Sequence, residues 1–272
     1  MLPDFEELIP EENIENSSFS FITEFKGNYE EEIREANIPD ELPILPLRNM
    51  VLFPTTVLPI SVGRESSLKL IKELEKSGGY MGVMCQKEAT VETPSIEDLY
   101  PYGTVAKIVK VFEMPDNSTT VILQGYQKIK LLELTRTYPY HQGRVMPVFD
   151  MPTLHDDEFN LLIQNCRKTA TKIFKANGTN PEAAFAMKNM GNDSILINFL
   201  CANIKAPLTE KIALLEEMSL KERAYHLLTI LNHEKMLVDI QNRIQAKTQK
   251  DIDQQQKEYY LQQQLKNKQN ST

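Results

Sequence analysis

The sequence predicts an α+β protein: a curled β-barrel domain, an α-helical bundle, then a long projecting C-terminal helix. Three observations predict it. Short β-type runs punctuated by proline and glycine fill Leu42 to Asp150. After MPVFDMPT (Met146–Thr153) the apolar spacing turns helical. Beyond Ser219 no proline or glycine interrupts the chain, which allows one helix of about 50 residues, roughly 75 Å long. The resulting division is an acidic, mostly disordered extension (1–41), a β-domain (42–150), a helical bundle (151–218) and the long helix (219–272).

The extension is set apart by charge. Residues 1–40 hold twelve carboxylates against Lys26 and Arg34, a net charge of −10, whereas the whole chain carries −8. The body is therefore near neutral, at +2, and neither part offers the basic field that phosphate binding requires. Phe19, Phe21 and Phe25 are apolar points in the extension that could dock transiently.

In the β-domain, LPILPLRNMVLFPTTVLPISV carries Pro43, Pro46, Pro54 and Pro59 among apolar and β-branched residues. Proline cannot donate to a ladder, so these positions mark corners, strand starts or edges. In TTVLPISV, Leu58, Ile60 and Val62 alternate with Val57, Pro59 and Ser61, the period of a strand. GRESSLKLIKELEKSGG switches to helical spacing through Leu68, Ile71 and Leu74 and stops at Gly78–Gly79. YMGVMCQK and TVAKIVKVF are strands, MPDNST is a hairpin turn, and TTVILQ, YQKIKLLEL and GRVMPVF complete the set. Val105, Val109 and Val111 on one face of TVAKIVKVF, with Ala106, Ile108 and Phe112 on the other, predict burial on both sides, as in a barrel covered by a helix.

Thr153 with Asp156 predicts a helix start, and Asn177–Gly178 its end. Pro181 opens a short helix, Ile195 to Leu200 mark another, and Pro207 with Thr209 opens a third. SLKE (Ser219–Glu222) is a capping box for the long helix. Leu220, Ala224, Leu227 and Leu231 fit the bundle. Ile230, Leu237 and Ile244 keep a seven-residue spacing, and Tyr259, Tyr260 and Leu261 interrupt a glutamine- and lysine-rich surface. A helix so polar gains little from its own fold, so it is expected to project and pair, most simply with a copy of itself.

No catalytic constellation is found. Gly-Lys and GxSxG are absent, which excludes the common phosphate loop and the nucleophile-elbow motif. His226 and His233, with Glu222 and Glu234 nearby, read as helix-surface residues rather than a metal site. Glu97–Asp98 read as a solvated turn. Cys85, Cys166 and Cys201 are odd in number and far apart, which predicts small buried apolar groups in a reducing cytoplasm. No run is long and apolar enough for a membrane span, and no secretory signal is visible. Six of the eleven methionines fall in the β-domain or at its end (Met50, Met81, Met84, Met114, Met146 and Met151), and such side chains suit surfaces that accept varied apolar partners. Met50, Leu52 and Phe53, in a Pro-flanked loop, and Met114, beside the hairpin turn, are the candidates for an exposed contact surface.

LPILPLRNMVLFPTTVLPISVGRESSLKLI resembles the opening of the N-terminal substrate-recognition domain of Lon, the ATP-dependent serine protease. The likeness continues through QKEATVETPSIEDLYPYGTVAKIVKV, PDNSTTVILQGYQKIKLLEL and QKEYYLQQQLK, over residues 42–266. It implies a PUA-like β-domain, then a bundle and a long helix leading to an ATPase ring, in a cytoplasmic homohexamer that degrades damaged and regulatory proteins. The family often has Arg-Asp and Pro-Gly where this chain has Arg48–Asn49 and Pro54–Thr55. Neither the nucleotide-binding motif nor the serine–lysine dyad is present, so the chain itself is expected to be non-catalytic and free of cofactors. ATP and Mg belong to the ATPase domain. The expected partners are unfolded protein segments, met by Met50, Leu52, Phe53 and Met114, and further copies, met by Leu237, Ile244, Tyr259, Tyr260 and Leu261. The alternative is a stand-alone PUA-like nucleic-acid binder, which would need Lys107, Lys110, Lys128 and Lys130 as its patch.

Overall fold

One continuous sheet closes on itself to make the first half of the molecule. The computed structural model describes residues 21–22, 38–113, 118–177, 187 and 190–269. The described elements run β1 (Phe21–Ile22), β2 (Glu41–Leu47), β3 (Thr56–Val62), α1 (Glu65–Ser77), β4 (Met81–Gln86), a 3-10 turn (Ile96–Asp98), β5 (Leu99–Glu113), β6 (Thr119–Arg136) and β7 (His141–Pro147). Helices follow: α2 (Asp157–Ala176), α3 (Asp193–Asn203), α4 (Leu208–Glu216) and α5 (Leu220–Gln269).

The strand order is β1-β3-β6-β5-β4-β2-β7, and β7 pairs with β6 as well. Strands β6, β5, β4, β2 and β7 therefore form a closed ring, and the curled barrel expected from the sequence is present. The long β6 makes this possible: Thr119–Gln124 pairs with β3, and Ile129–Arg136 pairs with β7. Register breaks at Thr104/Ala106, Ile108/Lys110, Leu131/Glu133 and Leu134/Arg136 supply the bending.

Among the described residues, Pro43, Pro46 and Pro59 sit where only one side of a strand is paired. Pro43 faces Gln142 of β7, just before the parallel pairing of β2 with β4 begins at Ile44. Pro46 faces Met84 of β4, beyond the end of the β7 pairing. Pro59 faces Ile122 of β6, past the short contact with β1. A missing N–H therefore costs the ladder little at each position.

Three apolar clusters fill the structure. Leu42, Ile44, Met84, Val105, Ile129 and Val145 fill the barrel. Leu58, Ile60, Leu70, Ile71, Val121 and Leu123 join the sheet to α1. Phe159, Cys166, Phe174, Leu196, Leu200 and Leu227 centre the helical bundle, which also takes in Val51, Phe53 and Cys85 from the β half. Burial on both faces of β5 holds at Val105 and Ala106 but fails at Val109, which is 43% exposed. Past the register breaks β5 leaves the barrel, and its outer face meets water.

The loop before β3 is backed tightly onto the sheet. A Cβ on Gly125 would stand 2.4 Å from the Phe53 carbonyl oxygen, so no larger residue fits there. Thr55 donates its N–H to that glycine's carbonyl and holds a left-handed φ of 66°. Its buried hydroxyl has no hydrogen-bond partner among the described residues. A β-branched residue is strained in this region, which glycine adopts freely.

Helix α2 starts three residues later than the Thr153 reading, with Asp156 as the cap accepting from the Phe159 N–H at 2.7 Å. The delay arises because the preceding segment is tied elsewhere: the Met151 N–H donates to the Met218 carbonyl at 2.8 Å. Ser219 caps α5, its Oγ accepting from the Glu222 N–H at 3.3 Å. Leu220, Ala224, Leu227 and Leu231 of α5 are buried, whereas Met236, Leu237, Ile244, Ile252 and Tyr259 are exposed. No helix among the described residues is long and apolar enough to cross a membrane. The short helix expected at Pro181, the turn containing Met114, and the acidic extension apart from Phe21, Ile22 and residues 38–41 lie outside the described residues.

Candidate functional site

Between β7 and α2 the chain runs extended along the junction of barrel and bundle, and its bonds fix which side chains face outward. The Val148 N–H donates to the Lys128 carbonyl at 2.8 Å, and Gln127 Nε2 donates to the Val148 carbonyl at 2.5 Å. Val148 is buried and the Asp150 carboxylate points inward. In extended backbone the alternate residues must then point out. Phe149 and Met151 are 60% and 55% exposed, with Met146 and Leu154 also exposed on either side. Phe149 and Met151 line a groove of about 830 Å³, which Asn192, Asp193 and Ser194 at the start of α3 also line.

Its floor is a buried ionic cluster. Arg223 of α5, 1% exposed, donates NH1 to Asp150 Oδ2 at 3.0 Å and NH2 to Asp150 Oδ1 at 2.5 Å. NH1 also reaches Asn198 Oδ1 of α3 at 3.2 Å, and Nε reaches the Glu217 carbonyl at 3.2 Å. Lys128 of β6, 3% exposed, donates to Asp150 Oδ1 at 3.0 Å and to the Glu217 carbonyl at 2.9 Å. Five segments thus meet in one cluster, with Arg223 and Lys128 on the carboxylate itself and Asn198 and the Glu217 carbonyl holding those cations. Burial alone would raise the Asp150 carboxyl, but the hydrogen bonds and charge of Arg223, then those of Lys128, hold it below its ordinary value. Burial, then the adjacent Arg223 charge, pushes Lys128 down to about 8 against the pull of Asp150. The two directions agree on one reading: the carboxylate is committed to Arg223 and compensates Lys128 only in part.

The sequence reading of the contact surface is corrected at two residues. Leu52 and Phe53 are 2% and 0% exposed and belong to the core. Their carbonyls are held by Thr104 Oγ1 at 2.6 Å and Thr56 Oγ1 at 2.8 Å, which turns Phe53 into the bundle and Leu52 toward α1. Met50 is half-buried beside a smaller pocket, and Met114 lies outside the described residues. Met146 and Met151, flagged only as members of the methionine set, are the exposed ones. The groove and its ionic floor escaped the sequence reading. Lys128 sits in a β-strand, Asp150 in a linker and Arg223 on a helix, and nothing in linear spacing joins them.

The other candidates are placed as follows. Leu237, Ile244 and Tyr259 are exposed on α5, and the side chains of Tyr260 and Leu261 lie outside the described residues. The lysine patch does not assemble as drawn, because Lys128 is buried. Lys107 instead lies 4.3 Å from the Tyr80 ring centre, and Lys130 5.5 Å from that of Tyr102. His226 pairs with Glu210 at 2.6 Å rather than with His233. Asp98 closes its turn by accepting from the Ser95 N–H at 2.8 Å and Oγ at 2.7 Å. The three thiols are free and buried, with Cys85 pushed up to about 11 and Cys166 and Cys201 to about 12 by burial, so they are inert.

Comparison with known proteins agrees with the fold. The "N terminal domain of Mycobacterium avium complex Lon protease" matches with a TM-score of 0.59 at 17% identity, over 71% of this chain and 98% of that one. A Lon N-terminal domain protein from Xanthomonas campestris matches with a TM-score of 0.50 at 18% identity, over 70% of this chain and 97% of that one. In sequence, the chain is similar to Lon protease of Parabacteroides distasonis, 49% identical over 84% of this chain, and of Porphyromonas gingivalis, 42% identical over 86%. It spans about 28% of the length of each of these relatives. The family described as "ATP-dependent protease La (LON) substrate-binding domain" matches residues 41–233. The barrel, the helices packed on it and this match over most of the chain lead to one conclusion: the chain belongs to the Lon substrate-binding domain family.

Proposed function

We propose that this chain captures exposed apolar segments of misfolded or regulatory proteins for an ATP-dependent Lon-type protease, in the cytoplasm. The observation that carries the reading is the outward row Met146, Phe149, Met151 and Leu154 beside the junction groove. Burying one such side chain is worth about 1.5–3 kcal/mol, and association entropy offsets much of that. A single site is therefore weak, and several copies around one entrance raise its effective concentration. In this role the chain supplies binding alone, and ATP, Mg and peptide-bond cleavage belong to other domains.

The test is anisotropy of a labelled, permanently unfolded polypeptide. Phe149→Ser with Met151→Ser is expected to weaken binding about tenfold or more, the equivalent of one lost apolar contact. Leu132→Ser, an exposed leucine of β6 away from the groove, leaves it unchanged. Equal affinity in all three proteins refutes the assignment.

Self-association through α5 completes the proposal. Leu237 and Ile244 are 50% and 61% exposed at heptad spacing, with Ile240 between them. Sedimentation of Leu237→Glu with Ile244→Glu is expected to shift the protein toward monomer. An unchanged mass distribution removes α5 from the assembly.

A further inference from the structure

The smaller pocket beside Met50 shares no lining residue with the junction groove, and its walls and rim differ in kind. Leu45, Met50, Ile60 and Val62 are apolar walls, whereas Arg48, Arg64 and Glu92 supply charge. Its volume is about 250 Å³. Sites for drug-sized ligands run from about 300 Å³ upward, so this one suits a single side chain. The charged part is held from beneath. Gln86 of β4, 1% exposed, accepts from Arg64 NH2 at 2.5 Å, and the Val91 carbonyl accepts from the same nitrogen at 3.1 Å. Gln86 Nε2 in turn donates to the Val91 carbonyl at 3.0 Å. These bonds orient the guanidinium but leave its Nε buried with no hydrogen-bond partner among the described residues. A buried donor in that state calls for a ligand or an ion. The nearby carboxylate serves the other arginine. Glu92 Oε1 accepts from Arg48 NH2 at 2.7 Å, whereas Oε2 stops 3.9 Å from Arg64 Nε, too far for a hydrogen bond. Burial, then the charge of Arg48, holds Arg64 below its ordinary value against the pull of Glu92. The Glu92 side chain is 75% exposed, and an ion pair so open to water contributes little, so displacing it costs little.

We propose that this pocket binds the C-terminal residue of a polypeptide, with an apolar side chain inside it and the free α-carboxylate displacing Glu92 to bridge Arg48 and Arg64. A carboxylate accepts from two guanidinium groups at once, and such charge-assisted bonds are roughly twice as strong as neutral ones. The two oxygens then satisfy both arginines, which Glu92 does not. An α-carboxylate suits the site better than an acidic side chain, because it and an apolar group leave the same Cα, as charge and apolar walls share one small pocket. Recognition of a chain end in this way is a role separate from capture of internal apolar segments in the junction groove.

The test is anisotropy of a short, N-terminally labelled peptide ending in leucine, titrated with the full chain as the free acid and as the C-terminal amide. The free acid is expected to bind about tenfold more tightly, the equivalent of one charge-assisted hydrogen bond. Arg48→Met is expected to bring the free acid down to the level of the amide, and Arg64→Gln to do the same. Glu92→Gln removes the competing carboxylate, so it is expected to tighten the free acid about threefold, the scale of one exposed ion pair, and to leave the amide unchanged. Misfolding cannot produce that gain. Equal affinity of acid and amide, or a Glu92→Gln protein that binds the acid no better, overturns the proposal. A peptide amide with glutamate beside its leucine that matches the free acid also overturns it, by assigning the arginines to acidic side chains. Loss of the acid–amide difference in Phe149→Ser with Met151→Ser overturns it too, by moving the carboxylate to the junction groove.

Discussion

Replacing Asp150 by alanine is expected to destabilise the protein by about 3–5 kcal/mol, because it strands two buried cations without a counter-charge. For a chain of this size that lowers the melting temperature by about 10 °C. Arg223→Met costs less, since Asp150 keeps Lys128 as a counter-charge, and Lys128→Met is expected to be near neutral, since Asp150 keeps Arg223. This ranking follows from the geometry: Arg223 grips both carboxylate oxygens, whereas Lys128 shares one of them. The pH dependence separates the members further. Asp150 is held below its ordinary value, so its contribution is complete above the normal carboxylate range and is lost as pH falls through the folded value. Lys128 titrates at about 8 in the folded protein and 10.5 when unfolded, so between these values the unfolded chain holds more protons and stability rises with pH. Chemical denaturation across pH checks both limbs: Asp150→Asn should lose the acid limb and Lys128→Met the alkaline one. A wild-type curve that is flat in both regions contradicts this account of the cluster.

Phe53→Ala is the second large effect, at about 3–5 kcal/mol, the usual range for deleting a fully buried aromatic ring. Phe53 rises from the β half into the bundle core, so its loss opens a cavity where the two halves meet. Phe149→Ala gives the opposite pattern. Its ring is largely in water, so stability is expected to move by no more than about 0.5 kcal/mol. Denaturant unfolding of the two variants, alongside binding of an unfolded polypeptide, distinguishes a structural phenylalanine from a contact one. Reduced binding by a fully stable Phe53→Ala would reverse the assignment.

That contrast shows how far the sequence could be read. Proline positions and apolar runs were enough for a closed barrel, because a ladder's need for donors and a core's need for apolar faces are local demands. The length of α5 was legible for the same reason: nothing between Leu220 and Gln269 breaks a helix. Exposure was not legible. Phe53 and Phe149 both follow a buried apolar residue, Leu52 or Val148, and precede a proline or an acid. What separates them is Thr56, Thr104 and Gly125 closing over one, and Val148 and Asp150 anchoring the backbone beneath the other. Those partners come from distant strands and helices, so Leu52 and Phe53, expected to be exposed, are core residues instead. The methionine signal, by contrast, did include Met146 and Met151.

Arg223 also gives α5 a mechanical property. From Glu234, where burial ends, to Gln269 the helix extends about 50 Å at 1.5 Å per residue. A rod of that length moves its tip by about 1 Å for each degree of rotation at its base. The base is gripped by Asp150, directly under the groove, so each degree by which that base turns becomes about 1 Å of displacement at the distal end of the lever.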